Sequence, residues 1–296
     1  NFFKFRTDSD TEVILAAYLK WGESCFKKFT GMFSIVLWDE NKKKLFCVRD
    51  RLGIKPLYYS FKNDNLIFSS EITPIHKIIN SKINEAVVSN YLNYSLYENR
   101  SQTFFERIKQ FEPGYIYKFD VKNNFVKNSY WSLYDIITSK ENKTIKENQT
   151  EVQEKIKERI NTIKNYYIRS DVKTASLLSS GLDSYFLTDL FSKNDKNLKL
   201  LLTFGFKSRS VDEVKFIIKT KLMRTIKHKI IKSSAEQFLK DLNRVQKEQE
   251  GPWGGVLTHS YDELMKYAKK KNIKVVYSGD GADEIFGGYK KYISPI

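Results

Sequence analysis

Leu177–Leu178–Ser179–Ser180–Gly181–Leu182–Asp183–Ser184 interrupts an apolar run with small residues and leads into the helical pattern Tyr185–Phe186–Leu187–Thr188–Asp189–Leu190. Strand, tight loop, helix is the geometry of an anion site. Backbone N–H groups of the loop and the first helical turn converge, the helix dipole adds partial positive charge, and the hydroxyls of Ser179, Ser180 and Ser184 can donate to phosphate oxygens. Asp183 would repel an anion there unless it holds a Mg²⁺ that bridges to it. Taken alone, the loop is better explained by an ordinary helix N-cap than by a nucleotide site.

A second stretch changes that balance: Tyr277–Ser278–Gly279–Asp280–Gly281–Ala282–Asp283–Glu284–Ile285–Phe286–Gly287–Gly288–Tyr289. Lys274–Val275–Val276–Tyr277 reads as a short buried strand, and it too ends in a glycine-rich loop, here with three carboxylates. In an open α/β sheet the C-terminal ends of neighbouring strands line one crevice, so the two loops can face each other across a nucleotide. Together they resemble the pyrophosphate loop and the Ser-Gly-Glu/Asp-Gly-x-Asp-Glu motif of asparagine synthetases.

Around these loops the second half of the chain alternates strands and helices. Leu198–Phe206 is a strand, Asp212–Glu213 opens a helix, Ile226–Ile231 is a further strand, and Tyr261–Lys270 is a helix before Ile273–Tyr277. That alternation predicts a doubly wound parallel α/β sheet with all strand ends on one side. A long amphipathic helix carrying Val152, Ile156, Ile160, Ile163 and Tyr167 precedes it. The polar stretch 139–150 is the linker, with domains over 1–138 and 151–296.

The first half reads differently. Ser9–Asp10–Thr11–Glu12 is a capping-box start for a helix through Trp21. Met32–Trp38 and Leu45–Arg49 form a hairpin buried on both faces, and a strand pair follows around the Lys62–Asn65 turn. Tyr115–Phe119 is a strand between the Pro113–Gly114 and Asn123–Asn124 turns. Arg49 and Asp50 are read as an ion pair fixing the next turn. The run Arg6–Glu12, Gly31–Met32–Phe33, Arg49–Tyr58 and Ser70–Glu71–Ile72 looks like the later part of a class II glutamine amidotransferase domain, in the order in which asparagine synthetases carry it.

The resemblance covers nearly the whole chain. It implies an incomplete α+β amidotransferase domain of the N-terminal-nucleophile type, followed by an α/β ATP pyrophosphatase domain akin to the adenine nucleotide alpha hydrolases. It implies ATP and Mg²⁺, with amidation of aspartate through a β-aspartyl adenylate and ammonia from glutamine. Carried over position by position, Ser179, Gly181 and Ser184 hold pyrophosphate, and Asp183 and Asp283 hold Mg²⁺. Leu177 and Phe204 offer backbone contacts to adenine, Ser278 and Gly279 contact ribose and α-phosphate, and Asp280 is the catalytic acidic residue. Asp10 binds the α-amino group of glutamine; on residues alone it is a helix cap.

The chain departs from that family in three places. It has no N-terminal cysteine, whose thiolate would attack glutamine with its own α-amine as base, and no Asn-Gly-Glu motif; it is read as a fragment not expected to hydrolyse glutamine as it stands. Ser180 replaces the usual glycine, bringing a β-carbon to a loop that pyrophosphate approaches closely. The chain also ends at Ile296, before the family's C-terminal helices with their catalytic lysine and much of the aspartate pocket.

Composition sets the remaining bounds. A chain of 296 residues with 41% hydrophobic and 15% aromatic content can build two modest cores. The net charge of +16 comes from scattered lysines, without the arginine clusters of a nucleic-acid groove, and favours anionic ATP. Cys25 and Cys47 are isolated and read as buried thiols; His76, His228 and His259 are too dispersed for a zinc site, and His228 reads as an edge-strand residue. No run suits a membrane span and none resembles a signal peptide, so the cytoplasm is expected. Expected partners are aspartate, glutamine and ATP, without nucleic acid or membrane, with a homodimer as the one assembly entertained. Two rivals stand: amidation of another carboxylate, such as a sugar acid of surface polysaccharides, and a non-catalytic binding or scaffolding relative.

Overall fold

Ser9 starts helix α1 (Asp10–Trp21) by accepting the Thr11 N–H at 3.2 Å. The other half of the expected capping box is rearranged. Glu12 reaches past Ser9 to accept from the N–H groups of Arg6 and Thr7 and from the Thr7 hydroxyl, at 2.9, 2.7 and 2.6 Å. The computed structural model describes residues 3–97, 100–139, 148–206, 214–217, 225–252 and 255–289. The chain divides into two compact units, Asn1–Ile145 and Lys146–Ile296.

In the first unit, strands β1 (Ser34–Asp39), β2 (Lys44–Arg49), β3 (Tyr58–Lys62) and β4 (Asn65–Ser69) are followed by helices α2 (Ile72–Ile79) and α3 (Glu85–Tyr94). Strands β5 (Lys109–Gln110), β6 (Tyr115–Phe119) and β7 (Phe125–Ser129) and helix α4 (Leu133–Thr138) complete it. Two antiparallel sheets result, ordered β1-β2-β6-β7 and β4-β3-β5. Period-two alternation then decides the layers. Phe46 and Val48 of β2 join Ile35, Leu37 and Ile116 beneath α1, whereas Cys47 turns the other way to pack with Tyr59, Phe111, Tyr117 and Phe119. In the smaller sheet Tyr59 and Leu66 face that shared core, and Tyr58 and Ile67 face α2 through Ile72, Ile75 and Ile79. The order of layers is therefore α1, sheet, sheet, α2.

The expected Arg49–Asp50 ion pair is corrected by this structure, because Asp50 is used on the backbone of the turn and Arg49 on the turn, on Phe111 O and on the Gln110 side chain. Asp50 accepts from the N–H groups of Leu52, Ile54 and Lys55 at 3.1, 3.0 and 2.9 Å. Arg49 donates to the carbonyls of Lys55, Gly53 and Phe111 at 3.0, 2.7 and 2.8 Å. Both are buried, at 6% and 1% exposure, and a buried charge requires this degree of hydrogen bonding.

The second unit opens with α5 (Gln149–Tyr167), capped by Asn148, which accepts the Glu151 N–H at 3.0 Å. The expected apolar stripe of α5 is present but not fully covered: Ile163 and Tyr167 are exposed. Then follow β8 (Thr174–Leu177), α6 (Leu182–Asn194), β9 (Leu198–Phe206), α7 (Val214–Ile217), β10 (His228–Ser233), α8 (Ala235–Gln249), α9 (Val256–Lys270), β11 (Val275–Tyr277) and α10 (Ala282–Phe286). The strands pair in parallel, in the order β10-β9-β8-β11. Ala175, Leu200 and Leu202 face Leu264 and Ala268 of α9, while Leu201 and Leu178 face Ile217 of α7, so helices cover both faces of the sheet. The strand expected over Ile226–Ile231 runs two residues later, and α9 begins at Val256, not Tyr261. Residues 212–213, expected to open a helix, and 140–147 of the expected linker lie outside the described residues. Among the described residues no helix is long and apolar enough to cross a membrane.

Phe46 is fully buried against Tyr18 and Phe26. Phe46→Ala is expected to lower the stability of the first unit by about 3–5 kcal/mol in urea denaturation.

Candidate functional site

The topology fixes where the two loops lie. From β8 the chain winds outward to β9 and β10, then returns on the other side of β8 as β11, whose Tyr277 is in register with Ser176. The connection after β8 runs toward β9, away from β11, so the loops that follow β8 and β11 lie side by side at the C-terminal strand ends, where open α/β sheets bind ligands.

Leu178, 2% exposed, closes β8: its N–H donates to Leu202 O at 2.8 Å and its carbonyl accepts from the Thr203 hydroxyl at 2.5 Å. Beyond it the loop folds on its own hydroxyls. Ser184 Oγ accepts the Ser179 N–H at 3.0 Å and lies 2.8 Å from Ser179 Oγ, which in turn accepts the Gly181 N–H at 3.2 Å. Gly181 occupies the N-cap of α6 and no side chain caps it, so the N-cap explanation of this loop does not hold here. The first-turn N–H groups of α6 therefore have no side-chain cap at the N-cap position. Asp183 sits in that turn, half-buried, and Ser180 is exposed.

The second loop lies directly against the first. A β-carbon on Gly279 would stand 3.1 Å from Ser184 N, 3.3 Å from Ser184 Cα and 3.4 Å from the carbonyl carbon of Asp183. Gly281 follows at φ +95°, a left-handed conformation that starts α10. Asp280 accepts from Ser278 Oγ at 2.6 Å and from the Tyr261 hydroxyl of α9 at 2.9 and 2.8 Å. Burial, with this carboxylate as acceptor, raises the Tyr261 pKa above its ordinary value, so the phenol is the donor. Asp283 packs its carboxylate into space left by Gly288, where a β-carbon would overlap it.

Thus Ser179, Gly181, Asp183, Ser184, Ser278, Gly279, Asp280 and Asp283 gather on two touching loops, with Leu177 and Phe204 half-buried at adjoining strand ends. Asp10 belongs to the other unit, exposed in the first turn of α1, where Ser9 and not Asp10 is the cap. Among the described residues no three His, Cys, Asp or Glu side chains form a metal cluster. Two carboxylates and nearby hydroxyls still suit Mg²⁺, which binds through one or two carboxylates plus substrate phosphates and keeps several waters.

Two residues escaped the sequence reading. Tyr261 lay at what looked like the outer end of a helix. His259 is buried, with Nε2 2.9 Å from Ser233 Oγ and Nδ1 3.9 Å from Asp241, and its ring packs edge-on to Phe204. His228, on edge strand β10, bonds the Thr203 hydroxyl at 2.8 Å. Neither of two surface cavities is lined by the loops: one of about 650 Å³ runs along α5, and one of about 420 Å³ lies between α8 and α9 and touches Tyr261.

The family model described as a glutamine amidotransferase domain matches residues 2–131, and that described as asparagine synthase matches 156–295. Asparagine synthetases (glutamine-hydrolyzing) 1 and 2 of Bacillus subtilis (strain 168) are similar to it, at 30% identity over 99% of the chain and 45% of the relative, and 31% over 98% and 40%. Amidase chry2 of Gibberella zeae is 27% identical over 98% of the chain and 44% of its own length. The chain spans less than half the length of each of these relatives.

The close approach at Gly279 makes a contrast. Gly279→Ala is expected to cost about 1–3 kcal/mol through overpacking, whereas Gly181→Ala, at φ −73° and facing only Ser179 Oγ at 3.3 Å, should cost under about 1 kcal/mol. Urea denaturation of both variants checks the order. Burial pushes the thiols of Cys25 and Cys47 up to about 11 and about 12. The stability from holding them neutral is present below the unfolded thiol pKa and lost as pH rises through those values. Neither should react with Ellman's reagent at pH 8 until the protein is denatured.

Proposed function

The chain belongs to the asparagine synthetase family, and from that premise we propose that it takes part in ATP-dependent amidation of aspartate, with ammonia drawn from glutamine. The observation that carries this reading is the close approach of Gly279 to the Ser184 backbone, which brings the two loops together at the C-terminal strand ends. Aspartate's side-chain carboxylate attacks the α-phosphorus of ATP and pyrophosphate leaves; ammonia then attacks the acyl carbon, AMP leaves, and a proton is lost from the new nitrogen.

In this reading Ser179, Gly181 and Ser184 receive pyrophosphate at the uncapped start of α6, where N–H groups and the helix dipole favour negative charge. Leu177 and Phe204 lie at strand ends suited to backbone contact with adenine, and Ser278 and Gly279 to ribose and α-phosphate. Asp183 and Asp283 would hold Mg²⁺, which supplies charge neutralisation for the leaving pyrophosphate. Asp280 takes the proton as the C–N bond forms. Asp10 would bind the glutamine α-amino group. Positioning and electrostatics carry most of such catalysis. Two buried free thiols fit a reducing compartment, the cytoplasm.

A second reading puts another carboxylate in place of aspartate; the relatives include one named an amidase, so their names do not all point to aspartate. The full gene product, given ATP, Mg²⁺, aspartate and ammonium, is expected to release pyrophosphate and form asparagine. Pyrophosphate only with a different carboxylate selects the second reading, and no ATP binding at all selects a non-catalytic relative. Asp183→Ala is expected to weaken Mg·ATP binding by about 100-fold or more with an unchanged melting temperature; unchanged binding by calorimetry would overturn the site.

A further inference from the structure

The Asp280 carboxylate has two side-chain donors, and they differ in kind. Ser278 Oγ, at 2.6 Å, belongs to the same loop and is the hydroxyl assigned above to the nucleotide. Tyr261 comes from α9, 19 residues away, and its hydroxyl stands 2.9 and 2.8 Å from the two carboxylate oxygens. Near-equal distances place that hydroxyl on the bisector of the carboxylate, so it fixes the group's orientation and does not merely touch one oxygen. The phenol also lies 3.4 Å from Ser278 Oγ, which makes a three-membered cluster of two donors around one anion.

We propose that Tyr261 is the positioning residue for Asp280, holding its carboxylate in place for amide formation once Ser278 turns to the nucleotide. The inference rests on the reading of Asp280 given under the proposed function. Its logic is one of hydrogen-bond supply. When the Ser278 hydroxyl is taken by ribose or α-phosphate, Asp280 loses its neighbouring donor, and a carboxylate beside a triphosphate would swing away from that charge. Tyr261 is anchored on a 15-residue helix whose Leu264 and Ala268 are buried against the sheet, so its hydroxyl stays where it is while the loop rearranges. A phenol suits the task because, next to a carboxylate, it keeps its proton and remains a donor. The step moves no atom of Tyr261; the proton from the attacking nitrogen goes to Asp280.

The test compares wild type with Tyr261→Phe in the full gene product. Mg·ATP affinity by calorimetry and melting temperature are expected to stay within about twofold and about 2 °C, respectively, because the ring packing is kept. The rate of asparagine formation with aspartate and ammonium is expected to fall by about 10- to 100-fold, the span for one hydrogen bond to a charged group, with the ATP KM unchanged. Asp280→Asn should reduce amide formation to a small measurable rate, and adding Tyr261→Phe to it should lower that rate no further, because both act through one group. Wild-type amide formation by Tyr261→Phe overturns the inference. So does a loss that matches an equal loss of ATP affinity or of thermal stability, which marks a structural role. A wild-type protein that binds no ATP and forms no amide overturns the underlying reading instead, and the inference with it.

Discussion

The site depends on a missing atom. Gly279 has no β-carbon, and its backbone therefore comes close enough to Ser184 that one would sit 3.1 Å from the amide nitrogen. That approach welds the end of β11 to the first turn of α6, two segments about a hundred positions apart, and it does so at the point where the strand order reverses. A parallel sheet brings strand ends to one side, but it does not by itself make their loops touch. Closeness of this kind requires glycine, because a side chain would have to be accommodated against backbone.

Once the loops are joined, the other glycines divide the remaining work. Gly281 supplies the left-handed turn into α10 and Gly287, at φ +69°, the left-handed turn out of it. Gly288 supplies room for the Asp283 carboxylate. Gly181 supplies neither, having ordinary backbone angles; its effect is to leave α6 without a side-chain cap. These four further glycines thus answer to three different physical needs: Gly281 and Gly287 are strained by any side chain through their backbone angles, and Gly288 by collision with Asp283.

How much of this was legible in the sequence follows from what each feature depends on. The two loops stood out because small residues interrupt apolar runs, a purely local signal. The sandwich of the first unit was foreshadowed by strands apolar at every position, such as Leu45–Val48, which only burial on both faces explains. Tyr261 was hidden for a local reason: the N-cap of α9 is Gly255, with φ +75° and no side-chain cap, so no Ser, Thr or Asp announced that the helix extends back past Tyr261. Its bond to Asp280 and the pairing of His259 with Ser233 span 19 and 26 residues, and no periodicity reports contacts set by packing α9 on a sheet. Charge gave a misleading cue at Arg49–Asp50. Adjacent opposite charges look like a pair, yet at a buried turn the unpaired backbone groups outnumber them and take both.

Two carboxylates of the second loop are held by different forces, and that difference bears on their proposed roles. Asp280 is oriented by donated hydrogen bonds from Ser278 and Tyr261, which occupy its lone pairs and respond to anything that competes for those hydroxyls. Asp283 is oriented by sterics, its carboxylate seated in the gap at Gly288 and backed by the Gly288 N–H bond to its own carbonyl at 3.0 Å. Packing leaves lone pairs free, whereas hydrogen bonding engages them. A cation needs carboxylate oxygens that are fixed in place yet still available, which is the condition of Asp283. A group that exchanges a proton benefits instead from neighbouring hydroxyls that can tighten or release as its charge changes, which is the condition of Asp280. The proposed division, one carboxylate to metal and the other to proton transfer, thus draws on how the loop holds each, independent of the order in which they occur in the motif.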